Sequence, residues 1–147
     1  MTSLTLVRRI RARPAVLFQA LTSAEGMAQW LGPDAGPVLF AESDARVGGS
    51  FRVRFRTLDG TEHESTGEYL ELVAPTRVVM SWQWTVGGDP DERGEVSRVV
   101  IELAPIEAGT ELTFTHERLQ TEAARSSHER GWAGALDKLE RYVSAGT

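Results

Sequence analysis

The sequence predicts an α+β fold: an antiparallel sheet of six to seven strands set against one long C-terminal helix, with two short helices after the first strand. Two observations carry this. Through the middle of the chain, apolar residues recur at every second position, the period of a half-buried strand. The clearest case is Phe51, Val53 and Phe55 on one side against Arg52, Arg54 and Arg56 on the other. Near the end the period changes. His128, Trp132, Leu136, Leu139 and Val143 fall on one face of a helix, with Glu129, Arg130, Asp137, Lys138 and Arg141 on the other. A helix with so heavy an apolar stripe buries it, and the strands before it offer the matching face.

Leu4 to Arg11 alternates as a first strand and ends at Arg13-Pro14, because the residue before proline avoids the helical region. Pro14 opens a short helix through Leu21, and Ser23 caps a second through Gly26, Met27 and Trp30, stopped by Gly32-Pro33. Val38 to Ala45 reads as the next strand, and Gly48-Gly49 as a turn into Phe51 to Arg56. At the following hairpin a two-residue Asp59-Gly60 loop would put a charge on the apolar face. A three-residue loop, Asp59-Gly60-Thr61, keeps that face apolar, with Phe55 opposite Ser65, Phe51 opposite Tyr69, Arg56 opposite Glu64 and Arg52 opposite Glu68. Leu70 and Leu72 break the alternation and suggest a bulge after Tyr69, with Glu71 turned inward if the bulge follows it.

Beyond a turn at Ala74-Pro75-Thr76, the residues Val78, Met80, Trp82 and Trp84 share a face. A polar loop follows from Val86 to Gly94. Val99, Ile101 and Leu103 mark a further inner face, a turn spans Pro105 to Gly109, and Leu112, Phe114 and His116 point inward on the last strand. Thr121 and Ser126 are alternative starts for the terminal helix. Ser126 with Glu129 fits a capping box, which places a short turn first and the main helix from about Ser126. Gly131 inside the helix suggests close approach by a backbone or a ligand.

The chain of 147 residues reads as a single domain, 1–147. It has no cysteine, which removes disulfide and thiolate chemistry. Its net charge of -5 speaks against nucleic acid as a partner. It shows neither a signal-peptide pattern nor a membrane-spanning run, so a cytoplasmic location is expected.

The aromatics of the inner face, Phe51, Phe55, Tyr69, Trp82, Trp84 and Phe114, with Trp132 from the helix, are core residues in the plainest reading. A strongly twisted sheet does not always close over one helix, and the gap would be an apolar cavity with a few polar groups. Trp30, Phe55, Tyr69, Met80, Trp82, Trp84, Phe114, His116, His128 and Trp132 are the expected ligand-binding residues. Aromatic faces suit ring-containing ligands, and the Tyr69 hydroxyl is a candidate for fixing orientation. His116 and His128 face inward and His63 lies at inner parity near a turn. They are either hydrogen-bonded structural residues or groups that orient a ligand or move a proton. No third ligand has metal-site spacing, so no metal and no cofactor is expected. Arg52, Arg54 and Arg56 read as a solvated face paired with Glu64 and Glu68 rather than a phosphate strip. The acidic loop Asp89, Asp91 and Glu92 lacks calcium-loop spacing and is a candidate lid.

Several short motifs carry a family resemblance: Trp30 followed by Gly32-Pro33, Val47-Gly48-Gly49-Ser50-Phe51-Arg52, Gly67-Glu68-Tyr69, Ser81-Trp82, and Gly131-Trp132 with Leu136 and Leu139. Together they resemble the activator-of-Hsp90-ATPase-like (AHSA1-like) branch of the START-like, or SRPBCC, helix-grip superfamily. The resemblance covers nearly the whole chain and keeps the order. It implies a curved antiparallel sheet gripping the C-terminal helix, with a deep apolar cavity between them. It implies no single activity, since such relatives include co-chaperone domains, ligand-sequestering resistance proteins, polyketide cyclases and lipid carriers. No extra segment for chaperone contact is evident, so Hsp90 interaction is not expected. A small hydrophobic or aromatic ligand is the leading expectation. A protein-interaction module and a cyclase- or hydrolase-type enzyme using the cavity His or Tyr are the alternatives, and a homodimer is compatible with either.

Overall fold

The sheet has seven strands, and the chain reaches them in an order that explains the two short helices. In a computed structural model, which describes residues 2–32, 38–87 and 95–145, the strands are β1 (Thr2–Ile10), β2 (Val38–Ser43), β3 (Ser50–Arg56), β4 (Glu62–Val73), β5 (Arg77–Val86), β6 (Ser97–Ile106) and β7 (Gly109–Leu119). They lie in the order β1-β7-β6-β5-β4-β3-β2, every pair antiparallel. Consecutive strands from β2 onward are hairpin neighbours, but β1 and β2 are the two edges. The segment between them carries the chain from one edge to the other, as helices α1 (Pro14–Thr22) and α2 (Ala24–Trp30). The third helix, α3 (Glu122–Ala145), fills the concave side. The expected α+β architecture, with a curved sheet around a long C-terminal helix, is the observed one.

Local chemistry sets these boundaries. Pro14 stands at the start of α1, and the Ser23 side chain accepts from the Gly26 N–H at 3.0 Å to start α2, as the sequence predicts. The strand after them stops at Ser43, two residues short of the expected Ala45, where Asp44 and Arg46 begin the turn through Gly48-Gly49. Phe51, Val53 and Phe55 are buried and their arginine neighbours face outward.

The β3–β4 register differs from expectation. Phe55 pairs with His63, Phe51 with Gly67, Arg54 with Glu64 and Arg56 with Glu62. The loop is three residues long, but it is Leu58-Asp59-Gly60. The Thr57 N–H donates to Thr61 O, and Gly60 takes a φ of 88°. Asp59 selects this closure by accepting from the Thr57 hydroxyl at 2.5 Å and the Thr61 N–H at 3.0 Å, bonds that lower its pKa to about 2. The slip of two residues keeps every side chain on its expected face and moves the ion pairs. Arg52 meets Glu42 and Glu64 rather than Glu68, and Arg54 and Arg56 meet Glu62. The β4–β5 ladder breaks between Tyr69 and Glu71, so the bulge falls at Leu70. It precedes Glu71, which pairs outward with Arg77 at 3.1 Å rather than turning inward. The turn between β6 and β7 is also tighter than expected, because β6 continues through Ile106.

The terminal helix starts at Glu122, capped by Thr121, and not at Ser126. The Thr121 hydroxyl accepts from the Ala124 N–H at 3.0 Å, and Arg125 pairs with Glu122 at 2.7 Å. Ala124 is fully buried, so the stripe begins one turn earlier and the helix runs on through Ser126 unbroken. His128, Trp132, Leu136, Leu139 and Val143 are all buried. Two polar contacts pin this helix. Arg8 on β1 bonds Asp137 at 2.6 Å and the Ala133 carbonyl at 3.3 Å, and Lys138 Nζ donates to Leu31 O at the end of α2. The acidic loop expected as a lid lies outside the described residues. No described helix is long and apolar enough to cross a membrane.

Candidate functional site

The residues between sheet and helix form one continuous aromatic cluster. Trp132 stands at its centre, its ring centroid 4.6 Å from Phe114, 4.8 Å from Trp82 and 6.1 Å from Trp30. These distances are direct contacts, and each pair adds attraction beyond its buried area. Met80 and Tyr69 are buried deeper, paired across β5 and β4. Gly67 makes room here. A Cβ at that position would lie 2.4 Å from the Phe51 ring and 2.0 Å from Ser81 O. The Gly67-Glu68-Tyr69 motif therefore has a packing reason.

On the β6–β7 side the inward-facing polar side chains are hydrogen-bonded, and the one buried atom there without a partner, Arg98 Nε, lies on the other face of the sheet. The Trp132 indole N–H donates to His116 Nδ1 at 2.9 Å. That bond places the His116 proton on Nε2, which donates to Ser97 Oγ at 2.6 Å, and the Ser97 hydroxyl donates to the Trp82 carbonyl at 3.3 Å. Burial, followed by the neighbouring His128 at 4.6 Å, holds the His116 pKa well below the ordinary histidine range. His116 is thus neutral, in one tautomer, with both ring nitrogens engaged and neither left to move a proton. Tyr69 is similarly committed. Its hydroxyl lies 2.6 Å from Ser43 Oγ and 3.3 Å from the Thr22 carbonyl, to which Ser43 also donates. Burial raises the phenol pKa despite the Ser43 bond. The hydroxyl expected to orient a ligand instead ties β4 and β2 to the end of α1. The Trp30 indole donates to Ala20 O at 3.1 Å.

The β3–β5 side differs. Trp84 and His63 are only half-buried, while Phe55 and His128 beside them are buried. His63 stacks on Phe55 at 5.4 Å, and His128 lies nearly parallel to Trp84 at 6.0 Å, at an interplanar angle of 21°. The Ser65 hydroxyl and the indole nitrogens of Trp82 and Trp84 are buried here with no hydrogen-bond partner. The ten expected residues therefore divide. Trp30, Tyr69, Met80, Phe114, His116 and Trp132 are buried, and their polar atoms have partners; Phe55, Trp84 and His128 form the less closed side, with Trp82 between and His128 in ring contact with His116 at 4.6 Å. Sequence reasoning did not single out Ser65, Ser97 or Ser43. Inward parity on an aromatic strand face was the available signal for Ser65. An open groove of about 820 Å³ also exists, but outer-face residues such as Arg52, Thr66, Ser81 and Gln83 contribute to it. Among the described residues, no group of three or more His, Asp or Glu is placed to hold a metal ion.

An antiparallel sheet curved around a long terminal helix, with an aromatic interior, defines a START-like helix-grip protein. The family model described as "Activator of Hsp90 ATPase homolog 1-like protein" matches residues 11–144, and the chain belongs to that family. A Chromobacterium violaceum protein of known crystal structure is 28% identical, with a TM-score of 0.85 and 96% of each chain covered. The AHSA1 protein from Silicibacter pomeroyi is 25% identical with a TM-score of 0.85, over 99% of this chain and 100% of that one. An AHSA1-like protein from Aeromonas hydrophila, 23% identical with a TM-score of 0.79 and covering 99% of this chain and 94% of that one, shares the fold. No curated protein matches the sequence.

Proposed function

We propose that this protein binds a small apolar ligand carrying a ring, seated between β3–β5 and α3 against Phe55, Trp84 and His128. One observation carries the reading: on this side the aromatic surface reaches solvent, with Trp84 and His63 half-buried, while the opposite side is closed by its own hydrogen bonds. Apolar walls with few polar groups are the usual make-up of small-molecule sites. Membership of a START-like family supports it, because that fold often serves ligand binding. Catalysis gains no support from His116, whose ring nitrogens are both in use.

The test is a thermal-shift titration with naphthalene-sized hydrocarbons, together with native mass spectrometry of protein purified from its own host. Saturating a site at a hundred times Kd stabilises by about 2.7 kcal/mol, a readily measured rise in Tm. A retained adduct or such a rise is expected. A Tm unmoved by every ring compound would defeat the reading.

A further inference from the structure

We infer that the ligand's polar edge is a neutral oxygen acceptor, held by the indole N–H groups of Trp82 and Trp84 together with Ser65 Oγ. The inference rests on the ligand-binding reading and adds the chemistry for which that site selects. Ser65 lies directly opposite Trp84 in the β4–β5 ladder, and Trp82 is the next inward residue along β5. Ser65 is 0% and Trp82 4% exposed, and neither these two side chains nor the Trp84 indole has a hydrogen-bond partner. The packing of this interior does not force that outcome. The other two indoles, Trp30 and Trp132, both have well-placed acceptors. Buried polar groups in folded proteins are nearly always paired. Three adjacent exceptions, at the side where the aromatic surface reaches solvent, mark a place whose partner arrives from outside.

The donor set restricts that partner. An indole N–H only donates, so the partner must accept, and a hydroxyl such as Ser65 turns either way. An ammonium group would meet donors and is excluded. A carboxylate needs a counter-charge in so dry a place. Two cationic side chains near this interior already have partners, Arg8 with Asp137 at 2.6 Å and Lys138 with the Leu31 carbonyl at 3.1 Å, and His116 is held neutral by burial; His63 and His128 also border the site, so the 2-naphthoate comparison below tests the carboxylate directly. A ketone, ether or phenol oxygen on a ring fits both the donors and the flat walls of Phe55, Trp84 and His128.

The test uses the 15N-labelled full chain, whose four tryptophans give four indole N–H signals. It is titrated separately with 2-acetylnaphthalene and with 2-isopropenylnaphthalene, which replaces the carbonyl oxygen by a methylene of the same shape. The ketone is expected to bind about tenfold more tightly. It should move the Trp82 and Trp84 signals downfield and leave those of Trp30 and Trp132 in place. Ser65→Ala and Trp84→Phe should each reduce the preference for the ketone while retaining affinity for the hydrocarbon. Equal affinities overturn the inference and leave the apolar site standing; this is also the outcome if ordered water alone serves the donors. Binding of neither compound overturns the site and the inference together. Tighter binding of 2-naphthoate than of the ketone overturns the neutral acceptor.

Discussion

The two sides of the aromatic cluster are built from the same residue types and end differently. On the β6–β7 side, Trp132, His116 and Ser97 pass hydrogen bonds in one direction to the Trp82 carbonyl. On the β3–β5 side, Trp84, Ser65 and the Trp82 indole have nothing to bond. A satisfied buried network specifies one packing, whereas an unsatisfied buried donor lowers stability by about 1–3 kcal/mol. The first side therefore reads as framework and the second as a surface held ready for something else. Trp82 belongs to both, its carbonyl to one and its indole to the other.

The largest way to break this comparison is to remove the framework tryptophan. Trp132→Ala deletes a ring in contact with Phe114, Trp82 and Trp30, and is expected to destabilise by about 3–5 kcal/mol in urea denaturation. Trp84→Ala should lower stability by less than half of that, because Trp84 is already partly exposed.

Next in size is the response to acid. The unfolded chain takes up a proton on His116 near pH 6.5, which the folded chain refuses because its pKa is depressed. Its contribution is therefore complete above about pH 6.5 and declines below it, by about 1.4 kcal/mol per pH unit until the folded-state pKa is reached. Denaturation midpoints between pH 7 and pH 5 should show this fall. His116→Gln should remove it, while starting from a lower stability.

Smaller effects sharpen the contrast. Tyr69→Phe breaks the bond to Ser43 and should destabilise by about 1 kcal/mol while leaving ring-ligand affinity unchanged. Thr121→Ala removes the α3 cap and should also destabilise by about 1 kcal/mol, with fraying confined to the first helical turn in hydrogen exchange. Ser65→Ala differs in sign: it removes a buried hydroxyl that bonds nothing, and should leave stability unchanged or raise it by up to about 1 kcal/mol.

Much of the fold was legible because face parity is robust. The β3–β4 pairing slipped by two residues from expectation, yet Phe51, Val53 and Phe55 remained inward, since a slip of two preserves the period of a strand. The register itself was not legible. Arginines and glutamates alternate along both strands, so charge matching favoured neighbouring even registers almost equally. Asp59, bonding Thr57 and Thr61, decided the loop. The helix start was misread for a similar reason: Ser126 with Glu129 had the better local pattern, but burial of Ala124 extended the helix to Glu122, capped by Thr121. In the site, the large aromatics announced themselves and the serines did not. Ser97 meets His116 and Ser43 meets Tyr69 across long stretches of sequence, and a serine's type says nothing of which partner the sheet will bring to it.

The most direct measurement compares two tryptophan-to-phenylalanine exchanges that remove the same indole N–H from the two sides. Trp132→Phe should lose about 1–3 kcal/mol of stability, because His116 Nδ1 is left without its donor, and should keep most of its affinity for 2-acetylnaphthalene. Trp84→Phe should keep its stability and lose part of the roughly tenfold preference for that ketone over its methylene analogue. Equal losses of stability in the two variants, or ligand affinity lost only in Trp132→Phe, would contradict the division of the interior into a framework side and a binding side.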